Sequence, residues 1–260
     1  MGHKLNWKPD LPDFRDLTYK AIHRYSVQDL PPSVDLRPKC SPVENQDQLG
    51  SCTSFSLAGA LEFLEEQSLV TKIASPEILT PNSYTAFSHL FIYYNERDAE
   101  GDVSEDGGGQ LRDGIKTLAT LGCCAESVWP YTESQVFVKP SEQAYQEALN
   151  HKITSYQSLS SISDMKHSLS EGFPFCFGFT VYNSFESEET AQTGIVKMPS
   201  FLDSCVGGHA VLAVGYSDAE QMFIIRNSWG SDWGLQGYFK LPYLYISNPN
   251  LASDFWTIRR

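Results

Sequence analysis

The chain has 260 residues, with 19 lysines and arginines against 32 aspartates and glutamates, for a formal net charge of −13. Apolar residues make up 41% and charged residues 20%, the balance of an ordinary folded protein and not of a disordered one. So acidic a balance argues against nucleic acid or an anionic membrane as the main partner, since both need a cationic face, and no apolar run approaches the roughly 18 residues that span a bilayer.

Residues 1–30 are polar and turn-rich, with Pro9 and Pro12 inside Lys8-Pro9-Asp10-Leu11-Pro12-Asp13-Phe14-Arg15-Asp16. Pro31-Pro32 then interrupts the chain, and a compact body is expected to begin near Val34. The sequence therefore divides into a leader, 1–30, and one domain, 31–260. His3, Lys4 and Lys8 have no hydrophobic segment behind them, so the leader does not read as a signal peptide. The expectation is a cytoplasmic protein or a processed form of an exported one.

Asn45-Gln46-Asp47-Gln48-Leu49-Gly50-Ser51-Cys52 reads as a loop running into a helix that starts at about Cys52. Phe55, Leu57, Ala58, Leu61 and Leu64 share one face of that helix, with Glu62, Glu65 and Glu66 expected on its wetter side. A second helix is predicted through Leu111, Ile115 and Leu118, ending at Gly122, with Arg112, Asp113 and Lys116 in water. The second half of the chain is written in strands: His209 to Tyr216, Phe223 to Arg226, and Gly237 to Leu241. Helices early and strands late predict an α+β protein of two differently built lobes, with a cleft between them.

A thiol at a helix N-terminus feels the positive end of the helix dipole, which favours thiolate and makes Cys52 a nucleophile. Read alone, Cys52 is equally a buried core cysteine, His209 a core histidine at a strand, and Asn227 part of a turn between tryptophans. Together they supply nucleophile, base and a group to orient the base. The other cysteines, Cys40, Cys123, Cys124, Cys176 and Cys205, form no CxxC pair, and HExxH is absent, so the zinc patterns are missing. Gly107-Gly108-Gly109 is not followed by the Lys-Ser/Thr of a phosphate loop. No cofactor or metal is expected.

Six segments occur in an order that resembles papain and the cathepsins: Val34-Asp35-Leu36-Arg37, Pro42-Val43-Glu44-Asn45-Gln46, Gly50-Ser51-Cys52, Gly208-His209-Ala210, Val214-Gly215-Tyr216 and Asn227-Ser228-Trp229-Gly230. His209 and Asn227 follow Cys52 by 157 and 175 residues, slightly beyond the family's spacing of about 130–150. The resemblance implies a papain-like fold, with a helical left lobe and a β-sheet or barrel right lobe flanking the active-site cleft. It implies a peptidase acting on proteins or peptides through a Cys52 thiolate and a His209 imidazolium. Asn227 would hold His209, shielded by Trp229, and Gln46 would donate to the oxyanion. Gly108 and Gly109 match the glycine pair along which substrate lies, Gln110 and Leu111 follow where the S2 wall begins, and Gly207 and Gly208 border the same pocket.

Several residues depart from the family pattern. Leu49 replaces a cysteine whose disulfide partner, before the glycine pair, is absent as well. Thr53 stands where a tryptophan is usual, and Gly207 suggests a roomy S2 pocket. The leader is too short for the usual helical propeptide and resembles that of a divergent bacterial branch. It is expected to lie across the cleft and restrain access, anchored by Trp7, Phe14 and Arg15. A Cys40–Cys124 disulfide is a further expectation. The leading functional expectation is an endopeptidase. The alternatives are an aminopeptidase or peptide ligase on the same fold, or a binding protein that has lost turnover.

Overall fold

The computed structural model describes residues 3–20, 30–72 and 84–260, without the side chains of residues 69–72. Residues 1–2 and 21–29 of the leader lie outside it. Helix α1 (Cys52–Lys72) is the central element. Every residue from Cys52 to Glu65 is buried, because the helix is sandwiched between the two lobes. On one side it meets α2 (His89–Glu100) and α3 (Leu111–Thr120), with α4 (Glu142–Ala148) completing the helical lobe.

On its other side α1 packs against a seven-stranded antiparallel sheet. The strands are β1 (Ser33–Asp35), β2 (Ser155–Ser158), β3 (Phe175–Tyr182), β4 (Cys205–Ser217), β5 (Met222–Arg226), β6 (Tyr238–Pro242) and β7 (Ala252–Arg259), and the short helices α5 (Ile162–Ser170), α6 (Glu188–Thr193) and α7 (Tyr243–Ile246) connect them. The order is β2-β7-β3-β4-β5-β6, with β1 pairing to the end of β4. Strand β4 begins four residues before His209, so the histidine lies inside the strand instead of opening it. It pairs with Phe179 of β3. The α+β, two-lobed architecture is as the sequence implied.

Periodicity misplaced several charged residues. Glu62 and Glu65 are buried, 2% and 8% exposed. Glu62 accepts from the Phe87 N–H at 3.1 Å and from Ser41 Oγ, and Glu65 pairs with Arg260. Hydrogen-bonded partners let these carboxylates enter a core that their polarity alone would forbid. Arg112 is buried for the same reason, between Leu11 O and Asp16 of the leader. All six cysteines are free thiols, which removes the expected Cys40–Cys124 bridge. Cys40 donates to Leu36 O beside Tyr238 and Arg226, whereas Cys124 is buried next to Ser88 and Glu147.

Arg97 is fully buried in the last turn of α2 and, among the described residues, forms no ion pair with a carboxylate. Its guanidinium donates to the carbonyls of Tyr93 at 3.1 Å, Glu105 at 2.8 Å and Val136, and lies 4.1 Å from the Tyr93 ring centroid. This fixes the loop that carries Asp106 and the glycines after it. Arg97→Met is expected to destabilise the fold by about 3–5 kcal/mol, since it removes the donor from the buried bonds to the Tyr93 and Val136 carbonyls and unties the loop at Glu105. A denaturant midpoint within error of wild type would contradict that role.

Candidate active site

Cys52 is the first residue of α1 and has no exposed surface. Its Sγ accepts the Ala210 N–H at 3.4 Å, a bond from β4 across the seam. A donated N–H favours thiolate, but burial dominates and, with the Glu96 charge, pushes the Cys52 thiol up to about 12. His209 approaches the same seam from β4. Its Nε2 lies 2.8 Å from Asn227 Oδ1, which also accepts the Ser228 N–H at 2.9 Å. An oxygen that only accepts requires the proton on Nε2 of neutral His209, leaving the Nδ1 lone pair available. That Nδ1 is buried and has no hydrogen-bond partner among the described residues. Burial, opposed by the Asn227 bond, holds His209 down to about 4.

Trp229 covers this pair, its ring 5.1 Å from the His209 ring and nearly parallel to it. Gln46 lies on the helical side of the seam and is completely buried. Its backbone N–H bonds to Ser228 O at 2.9 Å, its Oε1 accepts from Ser228 Oγ at 2.6 Å, and its Nε2 donates to Leu49 O at 2.9 Å. The Asn-Ser-Trp-Gly segment therefore orients both His209 and Gln46. Thr53 replaces packing by a polar contact, its hydroxyl donating to buried Glu96.

The leader follows this seam. His3 stacks on Trp229 with ring centroids 4.6 Å apart. Gln46 Nε2 donates a second bond, at 3.3 Å, to Lys4 O. Leu5 O accepts from Gly208 N at 3.2 Å, Trp7 N donates to Gly208 O at 3.1 Å, and Lys8 N donates to Gly109 O at 3.1 Å. A Cβ on Gly178 would come within 1.8 Å of the Trp7 indole, and one on Gly108 within 1.7 Å of Asn6 O, so the chain approaches where side chains are missing. Gly207 faces Leu5 in the same way. Beyond the cleft, Asp10 accepts from Arg112 N and Trp256 Nε1, and burial beside Asp254 pushes its carboxyl up to about 7.

Of the residues expected at the site, Cys52, His209, Asn227, Gln46 and Trp229 converge, and Gly108, Gly109, Gly207 and Gly208 line the leader's path. Gln110 caps α3 and accepts the Leu11 N–H, while Leu111 turns fully into the core. Trp7 is nearly buried, but Phe14 is 100% exposed and, among the described residues, Arg15 forms its one ion pair with neighbouring Asp13. Sequence reading missed Asp106, which holds Gly50 N–H at 3.0 Å and the Tyr93 hydroxyl at 2.5 Å. Its visible signal was an acid immediately before three glycines, in the loop that lacks the family's cysteine.

A thiol at the start of a central helix, faced across a seam by an imidazole tied to an amide, defines a thiol hydrolase of two lobes. The family model for the papain family of cysteine proteases matches residues 30–248. Xylellain, a cysteine protease from Xylella fastidiosa, is 42% identical, with a TM-score of 0.88 over 98% of this chain and 95% of that one. An uncharacterized peptidase C1-like protein of Acanthamoeba polyphaga mimivirus is 42% identical over 90% of this chain and 74% of its own length. The thiol protease aleurain of Arabidopsis thaliana is 32% identical over 86% of this chain and 59% of its own length. The chain belongs to the papain family and is a cysteine peptidase. These three relatives come from a bacterium, a virus and a plant. Among the described residues no helix is long and apolar enough to cross a membrane.

Proposed function

We propose that the chain is a cysteine endopeptidase in which Cys52 attacks the scissile carbonyl and His209 Nδ1 takes the thiol proton. The observation that carries this reading is the buried Nδ1 without a partner, opposite an Nε2 held by Asn227. An orphaned buried nitrogen is costly, and a catalytic role is one reason for a fold to keep one. His209 would then give its proton to the leaving amine as the acyl-enzyme forms, and later draw a proton from the water that releases the acyl group. The Gln46 amide and the Cys52 N–H would stabilise the oxyanion.

An extended chain already threads both sides of Cys52, His3 on the Trp229 side and Leu5 to Lys8 on the other. That favours cleavage within chains over removal of single N-terminal residues. Cleavage of a peptide library in blocked and free N-terminal forms tests it. An endopeptidase cuts both alike, and hydrolysis confined to free amino termini would overturn the endopeptidase assignment. Gln46→Ala is expected to lower kcat about 10²-fold with little change in KM, as for loss of one oxyanion donor. An equal rise in KM with unchanged kcat would place Gln46 in substrate binding only.

The leader contacts support a second element of the proposal, that residues 3–20 hold the cleft closed within the same chain. The leader places its own carbonyl, Lys4 O, on the Gln46 amide that a substrate oxyanion would use.

A further inference from the structure

Lys4 spans two points of the site at once. Its carbonyl oxygen lies 3.3 Å from Gln46 Nε2, and its ammonium forms an ion pair with Asp106 Oδ2. The Asp106 side chain is only 8% exposed. Besides Lys4 it is held by neutral donors: Gly50 N–H at 3.0 and 3.2 Å to its two oxygens, and the Tyr93 hydroxyl. Tyr93 in turn accepts the Gly108 N–H at 3.1 Å, so the carboxylate is locked to the loop before the glycines. Among the described residues its one ion pair is with Lys4. Withdrawal of the leader would leave a carboxylate fixed by Gly50 and Tyr93, with no ion-pair partner among the described residues, one lysine length from the oxyanion donor.

Resting on the peptidase reading above, we propose that Asp106 is a specificity-determining residue, which selects lysine or arginine as the residue whose carbonyl Cys52 attacks. The distance from that carbonyl to the carboxylate is set by Lys4 itself. It runs through a single Cα, so one lysine or arginine residue is long enough to reach the carboxylate from the oxyanion donor. A neutral side chain in the same place leaves the carboxylate buried and unpaired, which is the stronger source of discrimination. Lys8 marks a separate acidic spot, on Glu100 at 3.1 Å and Asp102 at 3.3 Å, and does not compete for Asp106.

The test uses two peptidyl acyloxymethyl ketones that differ only in lysine or norleucine at the reacting residue. Labelling of Cys52 is followed by intact mass in wild type, Asp106→Asn and Glu105→Gln, each also carrying Trp7→Ala to loosen the leader. The lysine reagent is expected to react at least about tenfold faster than the norleucine reagent in wild type. Asp106→Asn keeps an acceptor for Gly50 and Tyr93, and is expected to bring the ratio to within about twofold while the norleucine rate stays within about threefold. Glu105→Gln should leave the ratio unchanged. Equal loss of both rates in Asp106→Asn would make Asp106 a loop clamp only, and a wild-type ratio near one overturns the proposal even if the variant does not fold. Iodoacetamide separates the two readings. If it labels Cys52 while the ketones show no preference, only the Asp106 proposal fails. If neither ketone labels Cys52 in any form, the peptidase reading fails with it.

Discussion

Cys52→Ala is expected to abolish peptide hydrolysis, a fall of about 10⁴-fold or more in kcat. Removing a nucleophile leaves only binding and oxyanion donors, and these cannot form an acyl-enzyme. The control lies in the same core. Cys176 is as buried as Cys52, at 1% exposure, and its thiol donates to Ser56 O at 3.4 Å on the same helix. Burial likewise pushes its thiol up to about 12. Cys176 sits within β3, paired to Leu212, and among the described residues its thiol is bonded to a backbone carbonyl and not to an imidazole. Cys176→Ala is expected to cost stability, about 1 kcal/mol for a small lost side chain, and to leave kcat within about twofold. Hydrolysis by Cys52→Ala at more than about a hundredth of the wild-type rate would remove Cys52 from the chemistry. The matched pair separates a thiol that reacts from one that merely packs.

The residues that proved legible in the sequence are those whose roles are set by their immediate neighbours. Gly50-Ser51-Cys52 announces a helix start, and Asn227-Ser228-Trp229 announces a strand end with an amide beside an indole. Such local patterns singled out Cys52, His209 and Asn227 and the order of helices and strands, while Gln46 and Trp229 followed from the resemblance to papain. What remained hidden depends on distant pairing. Asp106 acquires its meaning only from Lys4, Gly50 and Tyr93, and Arg112 becomes a core residue only because the leader brings Leu11 O and Asp16 to it. Hydrophobic periodicity sorts residues by polarity, so it placed Glu62 and Arg112 in water when hydrogen bonds had moved them inside. The reverse error fell on Phe14. Its aromatic ring suggested an anchor, but Arg15 turns back onto Asp13 and the Phe14 ring points outward.

Asp106 also accounts for how this chain manages without the disulfide that the family places beside its nucleophile. Leu49 is buried in a small apolar cluster with Leu90, Tyr93 and Val136. Gly50, the next residue, gives its N–H to Asp106. Packing by Leu49 and hydrogen bonding by Gly50 join the same two loops that a covalent bridge would join. Such a link is reversible and needs no oxidising environment.

Trp7→Ala is expected to raise peptide turnover and the rate of Cys52 alkylation by iodoacetamide at least about tenfold at pH 7. The indole is nearly buried against Gly178 and Gly208, and its loss removes about 3 kcal/mol of docking free energy, or roughly a hundredfold in the ratio of docked to open leader. The full factor is read only while the docked form dominates, and a tenfold rise requires a docked-to-open ratio of about ten or more in wild type. The sign of the pH effect follows from the covered site. With the leader docked, burial pushes Cys52 up to about 12 and His209 down to about 4, so near neutral pH the pair is thiol and imidazole and no nucleophile is formed. Opening the cleft returns water to both groups, which lowers the thiol value and raises that of the imidazole. The alkylation rate of wild type should therefore keep climbing well into alkaline pH, whereas the Trp7→Ala profile should reach its plateau at lower pH. Phe14→Ala, at a fully exposed position of the same leader, should alter neither rate. Identical profiles for Trp7→Ala and wild type would mean that the leader does not control Cys52. A shift in profile without a change in maximal rate would locate its control in the ionisation of the pair and not in access.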